Sequence, residues 1–353
     1  LIKEATLRFS LFINPLTMKP EDDYAAIEGT IRQVALANEL GFAGVFLSEH
    51  HFSGYNAYAN PMVFGARLAA ELTEAWLSFA TVTPPHYHPA RLTEDLNLLD
   101  NLMQGRMFIG WGKGGIPGET LGLGYHHDEA TERFEATTKA MRQLWSKKPE
   151  DPPLTFDGKF FKGTVHERVV PSAYGGATHP KIIRATRSES GLTEAANNAW
   201  PAFLMGPQAI GSFEEKLRSA GHSEDTVNFC LDWTVLPWIA HVAESDDKAM
   251  AEMTQPFSTF GEWVTRQEAL KDDYYEDGNV GPRFSPPKLG DGPGGGEMPG
   301  AFGSPDTVYE RLKLFKEWGF RHLLLGMQFG GMPFDEVERS MRLFAKEVMP
   351  RFA

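Results

Sequence analysis

The sequence predicts an α/β fold, a closed (β/α)₈ TIM barrel with insertions, as one domain over residues 1–353. Three observations predict it. Eight short apolar runs of β type alternate with amphipathic helical stretches along the whole chain. An open doubly wound sheet, the main competitor for such alternation, normally shows Gly-x-Gly-x-x-Gly after its first strand, and here NPLTMKPEDD follows instead. The length, 353 residues, suits one barrel enlarged by insertions.

Residues 7–14 (LRFSLFIN) read as the first strand, and Tyr24, Ile27, Ile31 and Val34 mark one face of the helix after it. Asp22 and Asp23 favour that helix's start, and Gly41 follows its end. GVFLSEHH (44–51) is the second strand, near-continuously apolar as in a parallel strand covered on both faces. LSFATVT (77–83) is the third; Pro89 then opens a helix lined by Leu92, Leu96, Leu99 and Met103, and Gly105 closes it. RMFIGWG (106–112) is the fourth, followed by a glycine-rich loop and a helix bearing Phe134, Thr138, Met141 and Trp145. KIIRAT (181–186), PAFLMG (201–206), DWTVLPWIA (232–240) and HLLLGM (322–327) supply strands five to eight. Ser304 caps the helix before the last strand, with Pro305 in its first turn. Phe334, Val337, Met341, Phe344 and Val348 line the closing helix.

Two stretches interrupt the repeat. Residues 149–180 contain a hairpin around Asp157–Gly158. Residues 245–303 follow strand seven, and twelve of the twenty residues 281–300 are Gly or Pro, which forbids regular structure there. A loop of that length at the mouth of a barrel reads as a mobile active-site lid, with a plain solvated insertion as the alternative.

Composition narrows the partners. A net charge of −13, with no block of Lys and Arg, argues against nucleic acid. No apolar run approaches the length of a membrane span and no signal-peptide core is visible, so a soluble, cytoplasmic protein is expected. The single cysteine, Cys230, lies in an apolar run and reads as a small buried hydrophobe.

Four clusters could bear chemistry. Ser48-Glu49-His50-His51-Phe52 ends strand two, where alternation turns at most one histidine squarely into the barrel mouth; the alternative is a hydrogen-bonded structural pair. His86-Tyr87-His88-Pro89 follows strand three. With the first cluster it raises a metal site, but the histidines sit on different loops, no H-x-H or H-E-x-x-H falls where metal-binding barrels put theirs, and His88 reads as a capping or packing residue. Gly110-Trp111-Gly112-Lys113-Gly114-Gly115 combines close backbone approach with a cation, although such loops also occur as mere turns. In Arg184-Ala185-Thr186-Arg187-Ser188-Glu189-Ser190-Gly191, hydroxyls and a helix start suit a phosphate, with ordinary N-capping as the alternative. Phe12, Phe52, Trp111, Met205, Trp238 and Phe329, at strand ends, are candidate pocket walls or else simple core.

Taken together, SEHHF (48–52), HPARLTEDLNLLDNLMQGRMFIGWGKGG (88–115), PSAYGGATHP (171–180) and MRLFAKEVMP (341–350) resemble the bacterial luciferase-like flavin-dependent monooxygenases. The resemblance implies a dimeric TIM barrel binding FMN at the strand C-termini. It implies oxidation of an aldehyde, ketone, alkane or terpene with O₂, the reduced FMN coming from a separate reductase. By the same resemblance His50 is the catalytic histidine, and Ala80-Thr81 is a position where the family often has a non-prolyl cis peptide. Gly112, Lys113 and Gly114 then flank the cofactor phosphate, Lys113 standing where luciferases carry arginine. Glu119 matches a carboxylate of the flavin region, and Ser188, Ser190 and Gly191 fall in the phosphate loop, within one residue of register. A homodimer is expected and no metal. The alternatives are a deazaflavin-dependent hydride transferase, a non-catalytic flavin-binding subunit and a metal-dependent hydrolase.

Overall fold

The computed structural model describes residues 6–275, 283–285 and 300–353. Its main sheet is parallel throughout. It runs β1 (Arg8–Ile13), β2 (Gly44–Leu47), β3 (Trp76–Phe79), β4 (Met107–Trp111), β7 (Lys181–Ala185) and β8 (Ala202–Phe203). β9 (Leu236–Val242) and β11 (His322–Gly326) complete the ring, β11 pairing with both β9 and β1. Val235 closes it: its N–H donates to Ala202 O at 2.9 Å, and its carbonyl accepts from Leu204 N–H at 2.9 Å. These eight strands form the predicted barrel.

Strand alternation sorts the apolar side chains into two layers. Phe46, Phe108, Ile183, Phe203 and Leu324 form one buried cluster, against which Phe12 packs. Their strand neighbours Leu11, Val45, Leu47 and Ile109 belong to the larger core shared with the helices. Full burial of each such side chain contributes about 1.5–3 kcal/mol, so the ring is held from both faces. Deep in the barrel, His322 Nε2 lies 2.7 Å from Ser10 Oγ, and burial holds this imidazole down at about 3, uncharged at neutral pH.

The helices are α1 (Asp23–Glu39), α2 (Pro61–Leu68), α3 (Pro89–Leu102), α4 (Pro117–Gly122), α5 (Ala130–Ser146) and α6 (Glu189–Asn197). They continue with α7 (Ala209–Ser219), α8 (Glu224–Trp233), α9 (Asp246–Leu270), α10 (Pro305–Glu317) and α11 (Phe334–Glu347). Ser304 caps α10 by accepting from Thr307 N–H, as its position implied. α2 escapes the periodicity argument because it is short, yet Asn60 caps it by accepting from Met62 and Val63 N–H, with Pro61 behind.

Several boundaries correct the sequence reading. Strand two stops at Leu47, so Ser48–His51 is loop rather than strand. Asp232 and Trp233 end α8, and strand seven begins only at Leu236, because Ser223 caps a helix whose apolar face includes Val227, Cys230 and Leu231. Cys230 is buried there, and burial pushes its thiol up to about 12. The hairpin around Gly158 is present as β5 (Leu154–Asp157) and β6 (Lys162–Val165).

In the segment 245–303 the first half is the 25-residue α9, and β10 (Gly300–Gly303) extends the sheet beside β9. The Gly/Pro-rich stretch lies largely outside the described residues.

Candidate active site

The C-terminal ends of β2, β3, β4 and β7 open into one cleft of about 1360 Å³, continued between α5 and α6. His50, Ala80, Thr81, Gly112, Lys113, Gly114, Glu119, Ser188 and Ser190 all line it. Gly191 alone among the expected residues does not. Its N–H is held by Ser188 Oγ at 3.1 Å, and a side chain there would collide with Thr186, so it belongs to the loop's own packing.

His50 sits on the loop released by the end of β2, its side chain 24% exposed. Its Nδ1 lies 3.0 Å from Glu119 Oε1, and the same oxygen accepts from His51 N–H at 3.0 Å. With Glu119 ionised, His50 donates from Nδ1 and leaves Nε2 as a proton acceptor. Glu119 was expected beside the flavin; it does line the cleft, but the hydrogen bonds made by its Oε1 orient His50. The loop is braced from behind. Tyr55 sets its ring edge to His50 at 4.8 Å and stacks on Trp263 of α9 at 4.4 Å, while Trp263 and Arg266 both donate to Ser53 O.

Beside this pair lies a fully buried carboxylate whose role the sequence concealed. Glu49 accepts from Thr83 N–H at 2.6 Å and Tyr87 hydroxyl at 2.6 Å, and its Oε1 lies 3.1 Å from His51 Nε2. Burial pulls the His51 imidazole toward the neutral form, but Glu49's hydrogen bond and charge outweigh this and leave its pKa raised. His86, 5.3 Å from His51 ring to ring, goes the other way: burial lowers it to about 4 against the pull of Glu119. Its Nδ1 is 2.8 Å from Tyr125 hydroxyl, and its Nε2 is buried without a hydrogen-bond partner. The two histidine clusters are therefore one network. His88 stands apart, its ring against Phe161, as a packing residue.

In the same cleft, the Ala80–Thr81 peptide is cis, the geometry the resemblance places at this position. Gly112 must be small there, since a Cβ would lie 2.7 Å from Thr81 Oγ1. Gly114 has φ +65°, and a Cβ would lie 2.5 Å from Thr83 Cγ2. Farther along, Lys113 Nζ reaches, among the described residues, only Thr131 Oγ1, at 3.3 Å. Ser188 caps α6, Ser190 Oγ lies 3.2 Å from Ser188 Oγ, and Thr186 Oγ1 accepts from Ser188 N–H at 3.0 Å. Thr186, Arg184, Arg187, Lys139 and Arg142 also line this end. Arg184 and Arg142 both pair with Glu194.

The expected apolar walls fare differently. Met205 lines the cleft. Trp111 instead faces outward into Trp145 and Trp200, Trp238 packs on Phe315, and Phe329 on Phe257 and Phe260. Phe12 packs with the barrel-interior cluster, and Phe52 is 71% exposed. Ile116, Phe134 and Phe203 supply apolar lining in their place.

Among the described residues, the group with a spacing suited to a metal is His126, His127 and Asp128, outside this cleft and outside both predicted clusters. Its N–O separations, 3.3 and 3.5 Å, are those of ordinary His–Asp pairs.

A profile of luciferase-like monooxygenases matches residues 7–322. The chain belongs to this family. Limonene 1,2-monooxygenase of Rhodococcus erythropolis is 30% identical over 136 residues, a match covering 38% of this chain and 35% of that protein. The oxygenase component of the flavin-dependent trigonelline monooxygenase of Acinetobacter baylyi is 22% identical across 98% of this chain and 96% of its own. An F420-dependent glucose-6-phosphate dehydrogenase of Microbacterium testaceum is 25% identical, covering 90% of each chain. The oxygenating constituent of 3,6-diketocamphane monooxygenase of Pseudomonas putida, solved with FMN, shares the fold at TM-score 0.76 and 20% identity, covering 98% of each chain. This luciferase-like protein is thus an oxidoreductase of the flavin-dependent kind. Among its described residues, no helix is long and apolar enough to cross a membrane.

Proposed function

We propose that the protein is the oxygenase component of a two-component FMN-dependent monooxygenase, acting on a small, partly apolar organic substrate. The observation that carries this reading is the His50–Glu119 pair, set in the same cleft as the cis Ala80–Thr81 peptide and an anion-ready loop. The residues present fit an FMN. Gly112, with no side chain of its own, lets a planar ring approach the backbone beside the 80–81 peptide. Lys113, Ser188 and Ser190 supply a cation and hydroxyl donors for a phosphate at the start of α6.

When bound in its reduced form, FMN supplies the electrons that let one atom of O₂ enter the substrate while the other leaves as water. The chain's own contribution is positional and protic. Glu119 fixes the tautomer of His50, whose Nε2 takes or returns a proton at the reacting centre. The buried Glu49 holds the Thr83 backbone and His51, and so keeps the wall beside the cis peptide in register. Ile116, Phe203 and Met205 keep the ring end partly dry and favour an apolar substrate portion.

The absence of a dinucleotide fingerprint in the sequence supports dependence on a separate flavin reductase. The described part of the segment after strand seven suits a lid: α9 leaves β9 and packs on the loop of His50 through Trp263 and Arg266. Val63 on α2 and Leu98 and Leu102 on α3, which packs against it, are exposed apolar side chains that a homodimer would cover. The lone buried cysteine fits work in a reducing, cytoplasmic setting.

Fluorescence titration with FMN and, separately, with the deazaflavin F420 tests the cofactor. Mixing the reduced FMN complex with ¹⁸O₂ and a panel of aldehydes, ketones and terpenes tests the chemistry. Tight FMN binding and one labelled oxygen in the product are expected. Preference for F420, with hydride transfer and no label, would replace this reading by the deazaflavin one.

A further inference from the structure

The carboxylate that orients His50 stands on an insecure element. α4 is six residues long, too short to hold itself, and Ile116 before it provides no side-chain cap. Positive-φ glycines lie on either side, Gly114 and Gly115 before it and Gly124 after it. Nothing within α4 therefore fixes where Glu119 points, yet its Oε1 must meet His50 Nδ1 within hydrogen-bond reach.

The missing restraint comes from a chain segment about 150 residues away. Beyond α9, Tyr275 places its hydroxyl 3.4 Å from Pro117 O and 3.3 Å from Thr120 Oγ1, and it accepts from His127 N–H at 3.3 Å. These bonds are long and individually weak. They converge on one oxygen, however, and the Tyr275 ring packs on His126 at 4.2 Å and His127 at 5.1 Å. Tyr274 reinforces the contact: a Cβ on Gly118 would lie 2.6 Å from its hydroxyl, so the phenol rests directly on the α4 backbone. One turn along the same face of α4, a Cβ on Gly122 would lie 2.5 Å from Phe52 Cε2, two residues beyond His50. α4 thus rests on both the His50 loop and the end of the segment that follows β9.

We propose that Tyr275 is a positioning residue for the His50–Glu119 pair, acting through α4 rather than by touching substrate or cofactor. The importance of that pair for turnover rests on the oxygenase reading above, but the positioning itself does not. The segment after β9 thereby acts on the cleft from outside its walls. Its docking sets the register of the carboxylate, so the proton-handling histidine is correctly oriented only when that segment is in place.

The test is ¹⁵N NMR of the histidine side chains in the cofactor-free protein, with His50 assigned by loss of its signal in His50→Gln. In the parent protein His50 shows the Nδ1–H tautomer held by Glu119. In Tyr275→Ala the share of that tautomer falls at least twofold, and Tyr275→Phe, which keeps the ring, gives a smaller fall. Glu119→Ala, which removes the acceptor, abolishes the preference, and adding Tyr275→Ala to it changes nothing further, as expected if both act along one path. If Tyr275→Ala does not fold, the Phe variant and its combination with Glu119→Ala carry the same comparison. An unchanged His50 tautomer in folded Tyr275 variants, or an equal change with and without Glu119, overturns the proposal. FMN titration of the same samples is read separately, and its failure would count against the oxygenase reading alone.

Discussion

The two ends of the cleft are built on opposite plans. At the histidine end, Glu49 engages Thr83, Tyr87 and His51, and Glu119 engages His50 and the His51 backbone, so both carboxylates are already partnered. At the loop end, Lys113 reaches only a threonine hydroxyl, and Arg187 and Lys139 have no ion pair among the described residues. The first end is finished before any ligand arrives, as a group that must hold a proton at a fixed place requires. The second keeps donors in reserve for an anion that the protein does not itself supply. Chemistry and binding should therefore be separable by mutation.

The largest effect should come from breaking that separation at the histidine. His50→Ala is expected to lower turnover by about 10²–10⁴-fold, the usual contribution of a positioned acid–base group, while FMN affinity stays within about twofold. Stopped-flow turnover and flavin titration measure the two. A collapse of FMN binding would make His50 part of the binding end, and the contrast would fail.

The finished end should also be the pH-sensitive one. His86 is held at about 4 by burial, against an ordinary 6.5, so the unfolded chain binds its proton more readily. Its contribution to stability is complete above pH 6.5 and is lost as the pH falls from 6.5 to about 4. His51, with its pKa raised, has the opposite sign: its contribution is present below 6.5 and disappears as the pH rises through its folded value. In His86→Asn the acid-induced loss of stability over pH 6.5 to 4 should shrink by up to about 3 kcal/mol. Denaturant midpoints across that range show the change. His322, held at about 3, keeps part of the slope in the variant. An unchanged slope would mean that His86 is solvated.

How much of this contrast the sequence revealed follows from the range of each interaction. The barrel was legible because strand–helix alternation is a local signal, and the loop that brings His50 to the cleft could be singled out because its motif is contiguous. The partners of His50 were not: Glu119 is 69 residues away, and only a three-dimensional turn brings it to Nδ1. Glu49 looked like a neighbour of the histidines, and nothing local showed that it would be buried against Thr83 and Tyr87. Trp111 failed as a wall residue through parity. Trp111 ends its strand facing α5, while the lining position beside it belongs to Gly112, and one residue of phase reverses inside and outside. Strand seven was begun too early because WTVLPWIA is apolar throughout, and composition cannot distinguish the last turn of a buried helix from a strand.

At the loop end effects should be smaller and confined to binding. Lys113→Ala is expected to weaken FMN about tenfold, the worth of one partly exposed charge-assisted contact, with turnover at saturating FMN unchanged. If turnover falls at saturation as well, the loop also shapes the reacting end, and the two plans are coupled through Gly112 and Gly114.

The finest division lies between two serines two residues apart. Ser188 Oγ caps α6 by accepting from Gly191 N–H, whereas among the described residues Ser190 Oγ reaches only Ser188 Oγ, at 3.2 Å. Ser188→Ala removes a cap and should cost about 1 kcal/mol of stability as well as FMN affinity. Ser190→Ala leaves the cap in place, so its melting temperature should stay at the parent value while FMN weakens about threefold, near the low end for one hydrogen bond. Thermal melts and titrations on the pair separate a hydroxyl that builds the loop from one held ready for the ligand. Equal losses of stability would show that the Ser188–Ser190 contact is itself part of the cap, and the reserve of free donors at this end would reduce to its cations.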